Sequence, residues 1–284
     1  MFYNTPILCS MQKYYWIIQQ YIVVIIKTRI QQYMQKFCNL VLKLYGEREI
    51  MWTDRTKILL GQDGLNKLKN SSVAVIGIGG VGGYVCMMLA RAGVGKITLV
   101  DFDKVDETNI NRQVVATSKT VGLAKTDVMK QMIKEINPEC IIKTYQNRFC
   151  SEFAETFFTE NQFDYVVDAI DKVTDKLDLI CYCKQHEINI VSAMGAGNRT
   201  NIPNFKVIDI FKTSNDGLAK IIRKKLRERE VKSLDVVTCD TPAIKFDRTE
   251  NLSVGSISYY PAMCGCVLGA FVINELIKVS QSNV

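Results

Sequence analysis

Residues 73–83 read VAVIGIGGVGG, and no other stretch limits the fold of this 284-residue chain as tightly. Val73–Ile76 are small or β-branched, the pattern of a buried strand. Gly77, Gly79 and Gly82 then follow a G-x-G-x-x-G spacing that opens into a helical run from Tyr84 to Gly93. Each glycine has a task in such a turn: Gly77 the tight bend, Gly79 the close approach of backbone N–H groups to a ligand, Gly82 the packing of helix on strand. A helix N-terminus placed there faces an anion with its partial positive charge. A second strand, Gly95 to Asp101, ends in an acid at the distance where a ribose hydroxyl is expected. The order strand, glycine turn, helix, strand, acid predicts a nucleotide-binding βαβ unit.

With 48% hydrophobic and 23% charged residues, the chain can bury one large core or two modest ones. Its net charge is +7, of which residues 1–50 carry +4, so an argument for nucleic acid has to rest on local clustering. There are ten cysteines. Cys86, Cys181, Cys183, Cys264 and Cys266 fall in apolar helical patterns, which predicts reduced thiols and a cytoplasmic protein.

Further along, strands alternate with helices. A polar loop from Asp101 to Gln113 precedes a helix expected from about Thr120 to Asn137, with Lys125, Met129, Met132 and Ile136 on one stripe. Strands are expected at Cys140–Tyr145, Phe163–Asp168 and Ile188–Ser192, and helices at Glu152–Phe158 and Thr174–His186. This spacing implies a doubly wound, mostly parallel α/β sheet of Rossmann type with helices on both faces. From Phe205 the pattern changes to a C-terminal α+β extension. It comprises a strand at Phe205–Phe211, a basic helix at Leu218–Glu230, a short strand at Val236–Thr238 and a mobile loop at Thr241–Val254. A strand at Ile257–Tyr260 and an apolar closing helix at Pro261–Val279 complete it. In the basic helix Leu218, Ile221, Ile222 and Leu226 form the apolar stripe.

Residues 1–50 form an N-terminal extension with three open readings. The apolar run Tyr14–Ile26 is broken by Gln19 and Gln20 and is short of the roughly 20 residues that span a bilayer, so no stable membrane span is expected. It is an amphipathic surface or targeting helix, a packing arm, or sequence upstream of a start at Met51; the last two are favoured. Residues 51–200 read as the ATP-binding domain and residues 201–284 as a C-terminal part of the same domain.

A dehydrogenase would use the glycine turn and Asp101 but not Asn109, Arg112, Lys125 and Asp171 together. An amide, two cations and a carboxylate that can hold Mg²⁺ suit a triphosphate, so the set points to ATP. The segments Gly77–Gly82, Asp101–Asp103, Asn109–Gln113, Gly122–Lys125 and Asp168–Asp171 resemble the E1-like ThiF/MoeB/HesA family of ATP-dependent carboxylate-activating enzymes. Asn137–Cys140, Met194–Arg199, Asp209–Thr213, Gly255–Ser258 and Pro261 resemble its tRNA threonylcarbamoyladenosine dehydratase branch.

That resemblance implies cyclisation of N6-threonylcarbamoyladenosine at position 37 of ANN-decoding tRNAs, by activation of the threonyl carboxylate. It implies roles as well. Asp101 holds the ribose, Asn109 and Arg112 the phosphates, Lys125 the charge developing on phosphorus, and Asp171 a Mg²⁺ ion. Gly77, Gly79, Gly80, Gly82, Asp103 and Gln113 complete the nucleotide contacts, and Arg55 reaches into the partner subunit of a homodimer. Lys220, Arg223, Lys224 and Arg227 would contact tRNA phosphates. A sulfur-acceptor or desulfurase protein is a further implied partner. Asp168 reads as structural. The alternatives are adenylation of the C-terminal glycine of a ThiS- or MoaD-like carrier, and a catalytically silent nucleotide-binding scaffold. The Cys-x-x-Cys pairs that hold zinc in carrier activators are absent, which argues for the dehydratase branch.

Overall fold

The computed structural model describes residues 6–45, 51–244 and 254–278. The chain divides into two units, Met1–Trp52 and Thr53–Val284. In the first, helix α1 (Pro6–Tyr45) runs for 40 residues. Pro6 sits where a helix start tolerates it, and no glycine or proline follows before Gly46.

The second unit is built on a seven-stranded sheet of order β3-β2-β1-β4-β5-β7-β6. Helix α2 (Asp54–Asn70), broken by Gly61 at φ +69°, leads into β1 (Ser72–Ile76). There follow α3 (Gly82–Ala92), β2 (Lys96–Val100), α4 (Lys125–Ile136), β3 (Ile141–Tyr145), α5 (Ser151–Glu160), β4 (Tyr165–Asp168), α6 (Val173–Gln185) and β5 (Ile190–Ala193). Then come β6 (Phe205–Asp209), α7 (Gly217–Glu228), β7 (Asp235–Cys239) and α8 (Tyr259–Lys278). The chain winds outward from β1 to β3, returns to β4 on the other side of β1, and winds outward again. The crevice at the carboxyl ends of β1 and β4 is therefore the switch point where such sheets bind ligands.

Valines and isoleucines face both sides of the sheet because both are covered. One core joins Val75, Ile97 and Leu99 to Leu89, Met129 and Leu268; the other joins Ala74, Ile76 and Val166 to Phe157, Leu179 and Ile222. Among the described residues α8 alone is long and apolar enough to cross a membrane. Its Tyr260, Cys264, Leu268, Val272 and Leu276, four residues apart, are instead buried, so it closes the core as expected.

The C-terminal segment continues the same sheet: β7 pairs in parallel with β5, and β6 lies antiparallel on β7 at the sheet edge. Three expectations need correction. The helix expected from Thr120 starts at Lys125, because Gly122 takes φ +87° and Ala124 bridges to Lys104. Ile257–Tyr260 is not a strand. Tyr259 and Tyr260 open α8, which accepts Pro261 in its first turn, where no N–H is needed. On α7 the buried stripe is Ala219, Ile222 and Leu226, while Ile221 is 48% exposed. Of the expected mobile loop, residues 245–253 lie outside the described residues.

Candidate functional site

The glycine turn is built as its spacing requires. Gly77 takes φ +91°, and its N–H donates to the Val100 carbonyl at 2.8 Å. A Cβ on Gly82 would lie 1.8 Å from the Gly77 carbonyl oxygen, so only glycine lets α3 start this close to β1. Val81 caps α3 with no side-chain hydrogen bond. Gly79, Gly80 and Val81, just ahead of the first turn of α3, line a cavity of about 730 Å³ at the carboxyl edge of the sheet.

Gly77, Gly79, Gly80, Asp101, Asp103, Asn109, Arg112, Gln113, Lys125 and Asp171 all line this cavity. Gly82 lies beneath it against Gly77. The Asp101 carboxylate accepts the N–H of Ile78 at 2.6 Å and of Asp103 at 2.8 Å, which ties the glycine turn to the end of β2. Each oxygen keeps a lone pair for a ligand hydroxyl. Burial pushes this carboxyl above the usual range, and Lys125 and the two N–H groups offset that only in part. Lys125 is buried, its Nζ 2.7 Å from Asp103 Oδ2.

Asn109 closes the 3₁₀ turn Glu107–Asn109 through a capping box with Asp106, which fixes the loop that carries Arg112 and Gln113. Arg112 Nη1 donates to the Thr108 carbonyl at 2.8 Å and to Asn111 Oδ1 at 2.9 Å. Gln113 is buried, and its Oε1 has no hydrogen-bond partner among the described residues. A buried amide oxygen left unmet in a cavity wall marks a place where a polar ligand fits.

Asp168 and Asp171 stand in different surroundings. Asp168 is fully buried and accepts from Lys176 Nζ at 2.7 Å, from the Ser192 hydroxyl and from the Ile170 N–H at 3.0 Å. It shapes the turn after β4. Asp171, three residues on, is exposed in the cavity wall with no hydrogen bond to a described residue.

The cavity also takes walls for which no nucleotide role was expected, among them the Met194–Arg199 motif. Asn147, Arg148 and Phe149 follow β3; Met194–Arg199 follow β5; Asp216–Leu218 begin α7. Arg148 grips the buried Asp175 of α6 through two bonds of 2.6 and 2.5 Å, and this holds the Asp175 carboxyl below the usual range. Their position at strand carboxyl ends was the available signal. Arg55, in contrast, is exposed in the first turn of α2 and does not line this cavity. On α7, Arg223 is committed to the Thr213 carbonyl and hydroxyl, and Arg227 lies 5.4 Å from the Phe211 ring, whereas Lys220 and Lys224 are exposed.

The ThiF family matches residues 53–283. The chain belongs to that family. A tRNA threonylcarbamoyladenosine dehydratase of Bacillus subtilis is 39% identical over 239 residues, covering 79% of this chain and 94% of that protein. One from Haemophilus influenzae is 37% identical, covering 76% and 89%. The Escherichia coli enzyme TcdA, solved in complex with ATP, superposes on this ThiF-family chain with a TM-score of 0.76 at 31% identity, covering 81% and 96%. Residues before Thr53 fall outside the family match.

Proposed function

We propose that this chain is an ATP-dependent tRNA dehydratase that cyclises N6-threonylcarbamoyladenosine at position 37. One observation carries the reading: a single cavity gathers the glycine turn that leads into α3, Arg112, Lys125 and an exposed carboxylate at Asp171. The curated relatives named above support it over nearly their full length.

A carboxylate resists acyl substitution because oxide is a very poor leaving group. In the proposed reaction a carboxylate oxygen of the threonyl group attacks phosphorus of ATP, breaking the bond to the departing ADP or pyrophosphate. The carbamoyl nitrogen or oxygen then attacks the acyl carbon, loses its proton to solvent, and expels the phosphorylated oxygen. The net change is loss of one water.

Asp101 accepts the ribose hydroxyls, Gly79 and Gly80 leave room for the phosphates, and Arg112, Asn109 and Gln113 hold them. Lys125 neutralises charge that grows on phosphorus. Asp171 would hold Mg²⁺, which draws charge from the phosphate oxygens when bound. The Gln113 oxygen, unmet among the described residues, is an acceptor and fits a hydroxyl or amino donor of the nucleotide, while its amide N–H groups are the ones that could meet a phosphate.

A homodimer with Arg55 acting in the partner's site belongs to this proposal. The flanking Ile58 and Leu59, 82% and 84% exposed, support a covered surface at α2. Lys220 and Lys224 would meet tRNA phosphates, on a helix whose first residues Gly217 and Leu218 line the cavity. The ties of Arg223 and Arg227 leave these two a smaller share.

The deciding experiment incubates the protein with ATP and threonylcarbamoyl-modified tRNA, digests the tRNA and weighs the nucleosides. A nucleoside lighter by one water is expected, and an unchanged mass refutes the dehydratase. Pyrophosphate exchange stimulated by a ThiS- or MoaD-like carrier, and not by tRNA, would favour carrier activation instead.

The raised Asp101 carboxyl gives a pH prediction. Its ionised form accepts both hydroxyls, so nucleotide affinity should fall as pH drops through a midpoint above the ~3.9 of an ordinary aspartate. Comparing wild type with Asp101→Asn separates this from titration of the phosphates. The difference between the two should shrink as pH falls; a constant difference would remove the role.

A further inference from the structure

We propose that Arg199 is the residue that recognises the substrate's carboxylate, and through it distinguishes modified tRNA from unmodified tRNA and from cyclised product. The inference rests on the dehydratase reading.

Arg199 is 5% exposed and lies in the cavity wall after β5. Its Nε donates to the Thr241 carbonyl at 2.7 Å, Nη1 to the Gly195 carbonyl at 2.6 Å and Nη2 to the Asn215 carbonyl at 3.3 Å. A guanidinium has five N–H groups, so two are unspent among the described residues.

No carboxylate of a described residue stands within ion-pair distance of it. The other buried or cavity-lining cations divide differently: Lys125 pairs with Asp103, Arg148 with Asp175 and Lys176 with Asp168, while Arg112 is only partly buried. Asp216, which shares Gly195 with Arg199, accepts from the Gly195 and Ala219 N–H groups and the Thr238 hydroxyl and makes no ion pair with it. Around this buried cation the described residues supply three carbonyls and the Tyr260 ring, 6.0 Å from Cζ, but no carboxylate, and an incoming carboxylate would offset part of the cost of burying the charge.

The backbone aims it there. Asn198 takes φ +56°, a conformation rare for a non-glycine residue, and is held in it by bonds to the backbone of Gly255 in both directions and by the Ile244 N–H. The location suits the chemistry. β4 separates β5 from β1 in the sheet, and Arg199, Asp171 and the phosphate turn line the same cavity. Cyclisation then removes the negative charge, so the product loses this contact and can leave.

A bridge that merely ties three loops together would act on stability alone, and the test separates the two. Binding of t6A-modified and unmodified tRNA is measured for wild type, Arg199→Gln and Arg199→Lys, together with the KM for ATP and the melting temperature. Wild type should prefer modified tRNA by roughly 10-fold. Arg199→Gln should bring that ratio to about 1 without altering affinity for unmodified tRNA or the KM for ATP. Should that variant not fold, Arg199→Lys decides in the same way, since it keeps charge but not the planar fork. A variant that is less stable yet keeps the full preference overturns the proposal, as does a wild type without preference that still dehydrates its substrate. A wild type that dehydrates no modified tRNA instead removes the reading beneath it.

Discussion

Asp171→Ala is expected to reduce turnover on modified tRNA by a factor on the order of 100 or more while leaving the protein folded. The carboxylate stands exposed in the cavity wall and supports no described neighbour, so its loss strands no buried donor. Exposed substitutions of this kind usually stay within ±0.5 kcal/mol of wild-type stability. Its proposed task lies wholly in the reaction, where it would hold the ion that stabilises charge leaving phosphorus. Single-turnover assays at saturating ATP, with a melting curve of the same preparation, check both halves. Equal turnover in the variant would remove the metal assignment.

Lys176→Met should do the reverse, destabilising the protein by about 3–5 kcal/mol. Lys176 is fully buried, with Nζ 2.7 Å from Asp168 Oδ2 and 3.0 Å from the Ser192 hydroxyl. Removing it leaves the Asp168 carboxylate in the sheet with no cation, and the penalty belongs to that stranded charge more than to the lost bond. The double variant Lys176→Met/Asp168→Asn should therefore recover much of the loss, because the amide carries no charge to strand. Denaturant unfolding of the two variants is the measurement. A double variant no better than the single one would show that packing, and not charge, sets the deficit. Because Asp168 also shapes the turn that leads to Asp171, the single variant should lose activity below its own unfolding range too.

Of these two acids three residues apart, one is buried and paired and the other exposed in the cavity wall, and much of the surrounding site was legible in the chain. Strand–turn–helix periodicity, the glycine spacing and the Asn-x-Asn-Arg-Gln and Gly-x-x-Lys segments are local signals, each set by backbone geometry within a few residues. They located β1 through β5 to within a few residues and ten lining residues of the cavity. They failed where context outweighs propensity. Ile257–Tyr260 has the composition of a strand, yet β6 already forms the sheet edge and Tyr260 is needed in the core, its hydroxyl 3.3 Å from Cys239 Sγ. Ile221 fits the apolar stripe of α7, but the helix turns Ala219 inward instead.

The sequence by itself determined the doubly wound class, the phosphate turn and the set of charged groups a triphosphate requires, because glycine conformation and short-range spacing suffice for those. Only the tertiary structure decided that Lys125 is paired, that Arg148 grips Asp175, that Gln113 is buried with an oxygen unmet by any described residue, and that Arg199 lies buried in the same wall with no described acid paired to it. Those facts depend on which residues from strands far apart in the chain come to share one low-dielectric cavity, and pairing and burial of that kind leave no periodic mark on the residues themselves.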